Sequence, residues 1–333
     1  MRILVTGGAG YIGSHVVLAL RDTGYPVVVI DDLSTGSTSL LPAGVAFVRG
    51  DAGDERTIAG VIDRHGVNAV MHFAGSVVVS ESVRNPLKYY RNNTCASGSL
   101  IAACVRKGIR HVVFSSTAAV YGAPAVIPVP EDAPLAPINP YGASKLMVEW
   151  MLRDAGAAHD LTYATLRYFN VAGADPRGRA GQLSPKATHL LKVACEAAVG
   201  RRSHIDVFGE DYATPDRTCI RDYIHVSDLA DAHVKALEYL AAGGPSRAFN
   251  CGCGRGYSVL EVLEQVQRRT KTRLDVRRAP RRPGDPPVLV ADAGRLRRTL
   301  DWKPRLDSLD AIVRTALDWE QRCAAGQALA SAS

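Results

Sequence analysis

Two side chains four residues apart carry the strongest chemical signal in this chain: Tyr141 and Lys145, in the run Tyr141-Gly142-Ala143-Ser144-Lys145. On a helix beginning near Pro140, that spacing puts both on one face. An ammonium held beside a phenol favours the phenolate. The tyrosine pKa is therefore expected to fall from about 10 toward neutrality, making a base for a substrate hydroxyl. Tyr and Lys at this spacing are common on solvated helices, so the pair needs support. Phe114-Ser115-Ser116-Thr117 supplies it by ending an apolar run, so that hydroxyls emerge at the carboxyl end of a strand and a third one can complete a proton relay.

The second chemical element opens the chain. Gly7-Gly8-Ala9-Gly10-Tyr11-Ile12-Gly13 follows an apolar run over 2–6 and leads into a helix-like stretch from Gly13 to about Asp22. Glycines there permit a tight turn, close approach of backbone to a pyrophosphate and close packing of helix on sheet, while the helix N-terminus attracts the anion. The next apolar run, 27–31, brings in Asp31-Asp32, the first of them 18 residues beyond Gly13. A carboxylate at that place accepts hydrogen bonds from the adenosine ribose and repels a 2′-phosphate, so NAD is expected rather than NADP. Asp51, after the third apolar run, is either an adenine-side contact or a turn residue.

These pieces need a frame to hold them. Apolar segments at 46–48, 69–73, 111–115 and 163–167 each follow a helical pattern, which indicates an α/β fold with a doubly wound, Rossmann-type parallel sheet and ligands at the carboxyl ends of its strands. After about residue 170 the elements shorten, and Pro280, Pro283, Pro286 and Pro287 crowd one segment. The expected division is an NAD-binding domain over 1–170, a smaller C-terminal substrate lobe over 171–325 and a tail over 326–333. Segments 219–226 and 248–251 could still rejoin the main sheet.

The 333 residues are 47% hydrophobic and 22% charged, ordinary for a folded globular chain. No apolar run approaches the roughly 18–20 residues that cross a bilayer, and the glycine loop follows the first strand without room for a signal peptide. A cytoplasmic protein without a membrane partner is expected. The seven cysteines are scattered, with no CxxC array and no histidine cluster, so reduced thiols and no metal are expected. Cys251 and Cys253 would share a face if both lay on a strand. The formal charge is +7. Its one basic cluster, Arg277, Arg278, Arg281 and Arg282, suits a diphosphate or is a solvated loop. Aromatic interleaving and recognised modules are missing, so nucleic acid is not expected.

Taken in order, VTGGAGYIGSH (5–15), HFAG (72–75), FSSTAAVYG (114–122), NPYGASKLMVE (139–149), LRYFNVAGA (166–174), RDYIHVSDLADAH (221–233) and APRRPGDP (279–286) resemble the extended short-chain dehydrogenase/reductase family and, within it, the UDP-glucose 4-epimerases. The resemblance implies that Tyr141 is the base, that Lys145 tunes it and holds the nicotinamide ribose, and that Thr117 takes the relay position. It implies NAD contacts from Gly7, Gly10, Tyr11, Ile12, Gly13, Asp31, Asp32, Leu33, Asp51, Ala52, Phe73, Ala74, Gly75, Asn92, Ser115 and Phe169. For the UDP-sugar it implies Thr117, Asn170, His189, Leu190, Val207, Phe208, Arg221, Tyr223, Arg282, Asp285 and Leu289. The implied activity is inversion at C4 of a UDP-hexose through a 4-keto sugar, in a homodimer built on helices near 87–107 and 141–158.

Some residues bear on rival chemistries. Ala118-Ala119 follow Thr117 where the related dehydratases need an acid and a base, which disfavours elimination. Val77 stands where epimerases of this group often carry a lysine. Leu289 replaces a tyrosine found in some members, which would leave room for the N-acetyl group of UDP-GlcNAc. His189 and Lys192 are either solvent-facing or cations that favour UDP-glucuronate. A non-catalytic NAD sensor would not need Tyr141, Lys145 and Thr117 together.

Overall fold

The computed structural model describes residues 1–184, 187–282 and 285–326. Seven strands form one parallel sheet: β1 (Ile3–Thr6), β2 (Val27–Asp31), β3 (Ala46–Arg49), β4 (Ala69–His72), β5 (His111–Thr117), β6 (Thr162–Tyr168) and β10 (Arg247–Cys251), in the order β10-β6-β5-β4-β1-β2-β3. β1, β2 and β4 are buried along their whole length, because helices cover both faces. One apolar core, with Val5, Val17, Met71 and Phe249, fills one face, and another, with Leu4, Ile58, Leu100 and Phe114, fills the other. The chain runs outward from β1 to β3 and then returns to β4, so the crevice between β1 and β4 is the switch point where ligands bind in such sheets. The connection into β3 departs from the expected helix, holding only the 3₁₀ turn Thr38–Leu40.

The segment 248–251 does rejoin the large sheet. β10 pairs with β6 along its whole length, after the helix Val226–Ala241 has packed against the helix Tyr11–Asp22. The segment 219–226 does not. β9 (Ile220–His225) belongs to a smaller sheet with β7 (Asn170–Ala172), β11 (Gly256–Ser258) and β13 (Val288–Leu289), and β8 (Ile205–Phe208) pairs with β12 (Val276–Ala279) beside it. Only Phe169 separates β6 from β7. Its N–H still bonds the Cys251 carbonyl of the large sheet, while Asn170 already pairs with Tyr223 of the small one. This handover fixes the small sheet at the carboxyl edge of the large one. Cys251 ends β10 and Cys253 lies beyond it, so the two thiols do not line one strand face. The expected tail lies outside the described residues apart from Gly326. No described helix is long and apolar enough to cross a membrane.

Candidate active site

Gly7 adopts φ +68°, and a Cβ there would lie 2.5 Å from the Ala74 amide nitrogen; at Gly13 a Cβ would lie 2.2 Å from the Gly7 carbonyl. Only glycine lets the first turn of the helix close onto the β1 loop, with Ala74 and Gly75 after β4 forming the other wall. Gly10 caps this helix without any side-chain bond, so the first-turn amides of Tyr11 and Ile12 face outward as an anion site. Asp31 Oδ2 accepts the Ala9 amide at 3.0 Å and Oδ1 the Leu33 amide at 2.8 Å. Asp31 therefore braces the glycine loop, and burial raises its pKa. Asp32 is exposed beside it, its carboxylate accepting from Ser34 at 2.8 Å. Asp51 caps a turn through the Gly53 amide at 2.7 Å, next to buried Ala52. Phe73 packs its ring 4.8 Å from that of His233. These residues fit a dinucleotide: backbone amides for the pyrophosphate at one end and carboxylates for a ribose at the other.

Tyr141, Lys145 and Thr117 meet where β5 ends. Pro140 opens the helix Pro140–Ala158, and the Asn139 side chain accepts the Gly142 amide at 2.9 Å, fixing the turn that carries Tyr141. Thr117 is the last residue of β5, and its hydroxyl lies beside the Tyr141 phenol. All three are buried. One expectation is corrected here. The lowering of the Tyr141 pKa expected from Lys145 is not seen in this structure, where Lys145 Nζ donates to the Ser115 carbonyl at 3.0 Å and lies 5.0 Å from the centre of the Phe114 ring. Burial raises the Tyr141 pKa, opposed by the Thr117 hydrogen bond. Burial also lowers that of Lys145, to about 8. The Ser115 hydroxyl is engaged with the Tyr168 phenol rather than with Tyr141.

The residues expected to hold the nucleotide lie on the small sheet and on β8, a helix start and loops outside it. A cavity is lined by Tyr11, Asn170, His189, Leu190 and Tyr223 together with Gln182, Cys195 and Trp319; Tyr141, Lys145 and Thr117 are not part of its lining. Tyr11 Oη donates to the Gly173 carbonyl at 2.7 Å, tying the glycine loop to this region. His189 caps the helix Leu190–Ala198 without a side-chain bond to its amides. Arg221 lies 3.3 Å from Asp285, opposite Leu289 in the β9–β13 pair. Val207 and Phe208 are on β8, and Arg282 lies 3.9 Å from the centre of the Phe208 ring. Leu289 is buried in an apolar cluster with Ala118 and Phe169, next to the Thr117 turn.

The other cations are otherwise engaged. Arg277, Arg278 and Arg281 pair with Asp275, Glu210 and Asp211. Lys192 is neither solvent-facing nor available to a uronate, being buried with Nζ 2.5 Å from Glu320 and 3.3 Å from Glu196. Asn93, which belongs to none of the sequence motifs, also reaches the region of Gly75 and Ser144. Its side chain accepts the Ser76 amide at 2.7 Å and donates to Ser144 at 3.0 Å, and its oxygen stands 2.9 Å from where a Gly75 Cβ would be. Asn92 is exposed and donates to Ser76 Oγ at 2.8 Å. The two asparagines lie on a π-helical turn, Tyr90–Cys95, whose wider winding changes which one faces inward. Only the adjacent Asn92-Asn93 pair hinted at this.

Residues 3–252 match the model of the NAD dependent epimerase/dehydratase family. The chain belongs to this family. It is 62% identical to a UDP-glucose 4-epimerase of Azospirillum brasilense, over 96% of this chain and 92% of that one. The crystal structure of UDP-glucose 4-epimerase from Brucella ovis in complex with NAD is 45% identical, with a TM-score of 0.92, covering 95% of this chain and 97% of that one. The Bifidobacterium longum UDP-glucose 4-epimerase in complex with NAD+ and UDP is 35% identical, with a TM-score of 0.92, covering 98% of this chain and 100% of that one. As an epimerase/dehydratase family member, the chain keeps the sheet, the glycine loop and the Tyr-Lys helix in one frame.

Proposed function

We infer that this chain is an NAD-dependent isomerase that inverts C4 of UDP-hexoses, interconverting UDP-glucose and UDP-galactose. The observation that carries the reading is the meeting of Tyr141 and Thr117 at the carboxyl edge of a sheet whose glycine cradle fits a dinucleotide and whose attached small sheet carries Asn170 and Arg221, with Arg282 in the loop after β12. Gly7, Gly10 and Gly13 with the Tyr11 and Ile12 amides would hold the pyrophosphate, Asp31 and Asp32 the adenosine ribose, and Lys145 the nicotinamide ribose. Bound NAD supplies a hydride acceptor that can return the hydride to the same carbon.

The rest of the work falls to the chain. Thr117 orients the C4 hydroxyl and relays its proton to Tyr141 in the phenolate form, and after the sugar has turned over Tyr141 returns that proton to the C4 oxygen. Arg221 and Arg282 hold the UDP by its charge, far from the reacting carbon, so the sugar turns over without leaving. Burial of Tyr141 and Thr117 keeps water off the keto sugar. Ala118 and Ala119 offer no acid or base for elimination, which supports epimerisation over dehydration.

The lobe that binds NAD comprises 1–170 together with the later helix and strand over 226–251, and the remainder binds the UDP-sugar. Exposed apolar residues on neighbouring helices, Val83 at 52%, Leu87 at 72% and Trp150 at 46% exposure, support a homodimer. The reduced thiols suit the cytoplasm. Purified protein is expected to retain NAD and to interconvert UDP-glucose and UDP-galactose without added cofactor; neither product forming from either sugar would overturn the reading.

A further inference from the structure

We propose that the buried Glu149–Arg167 ion pair is a positioning device that sets the separation between Tyr141 and Thr117. This rests on the reading of those two as a proton relay. Tyr141, Lys145 and Glu149 follow at four-residue intervals along the Pro140–Ala158 helix, all buried against the sheet. Arg167 Nη2 lies 2.6 Å from Glu149 Oε2, and its Nε lies 3.1 Å from each carboxylate oxygen. Two further bonds leave this pair for the segment that carries Thr117. Ser116 Oγ donates to Glu149 Oε1 at 2.5 Å, and Arg167 Nη1 donates to Tyr121 Oη at 2.9 Å. Tyr121 closes the 3₁₀ turn Ala118–Tyr121 and donates in turn to Asn250 Oδ1 at 2.7 Å.

Thr117 thus sits between two grips, one immediately before it and one four residues after. Both run to a carboxylate borne by the helix of Tyr141 and to its guanidinium partner on β6. The surrounding charges are accounted for: Glu131 Oε1 accepts the Asn250 amide at 3.0 Å, and its other oxygen lies 3.5 Å from Arg295. Stability alone does not explain an ion pair with both members under a tenth exposed. Desolvation consumes most of the attraction in such pairs, and apolar replacements are often as stable. Direction is what the pair adds, because its bonds work only at set distances and angles.

The experiment removes one grip at a time and leaves the ion pair in place. Ser116→Ala and Tyr121→Phe are made in the full-length enzyme with Thr117 present and again with Thr117→Ala. Since a misplacement of about 1 Å costs on the order of a hundredfold, each partial release is expected to lower kcat about tenfold with KM for UDP-galactose unchanged. On the Thr117→Ala background the further loss is expected to be under about twofold, because the residue being positioned is gone. Unchanged kcat, or losses that multiply with that of Thr117→Ala, would overturn the inference. Glu149→Gln is a third variant; if it does not fold, the two hydroxyl deletions still decide. A parent enzyme that does not turn over UDP-galactose refutes the functional reading and takes this inference with it, whereas an active parent with unaffected variants refutes only the inference.

Discussion

Replacing Tyr141 by Phe removes one oxygen, and the structure says what should follow. The phenol is buried beside the Thr117 hydroxyl, while its ring packs edge-on against Tyr89 at 6.3 Å. The ring contact survives the change, so folding loses at most one hydrogen bond, about 1 kcal/mol. Turnover loses the group that receives the proton. Thr117 then has a hydroxyl to pass a proton through and no base behind it. General-base removal costs roughly 10²- to 10⁴-fold, so kcat is expected to fall by about 10³, or about 4 kcal/mol of barrier. The nucleotide contacts lie on other strands, and KM should move less than about threefold. The assay follows conversion of UDP-galactose to UDP-glucose by NMR on protein whose NAD content has been measured. A Tyr141→Phe enzyme within tenfold of the parent kcat, at equal NAD content, would remove Tyr141 from the mechanism.

Lys145 is displaced by burial from its ordinary 10.5 to about 8. The unfolded chain therefore binds more protons between these values, and cofactor-free protein should gain stability over Lys145→Met as pH rises from about 8 to about 10.5. Urea unfolding of both proteins across that window checks it, and a constant difference would contradict it. Arg282→Ala removes a guanidinium next to Phe208. Loss of about 1.5–3 kcal/mol of charged hydrogen bonding should raise KM roughly ten- to a hundredfold while kcat stays nearly constant; a loss confined to kcat would place this arginine at the reacting carbon. Leu289 packs beside the Thr117 turn. Leu289→Tyr should lower turnover of UDP-GlcNAc relative to UDP-glucose, and an unchanged ratio would show that this side chain does not border the sugar.

Much of the site was legible because its parts are local. The glycine loop needs one strand end and one helix start, separated by a few residues, and Gly7 and Gly13 are marked by the absence of side chains that would collide with the loop. Tyr141 and Lys145 share a face through helical periodicity alone, and Asn139-Pro140 announces the turn that starts the helix. What the spacing did not reveal is the direction of the ammonium. Its bond to the Ser115 carbonyl depends on β5 lying beneath the helix, and the expected acidification of Tyr141 gave way to desolvation. Lys192 misled in the same manner: a cation on a short helix reads as solvated until Glu320, 128 residues away, is folded against it.

By itself, then, the sequence determined the parallel sheet, the cradle and the placement of Tyr141 and Lys145 on one helix face. These depend on periodicity, turn chemistry and contacts a few residues apart. Only the tertiary structure decided that β10 returns to the large sheet, that the chain passes from one sheet to the other across Phe169, that Asn93 faces inward, and that Glu149 meets Arg167. Each of those outcomes is a choice among long-range partners. Buried backbone and charged groups must find a partner somewhere in the fold, and which partner they find depends on the packing of the whole chain.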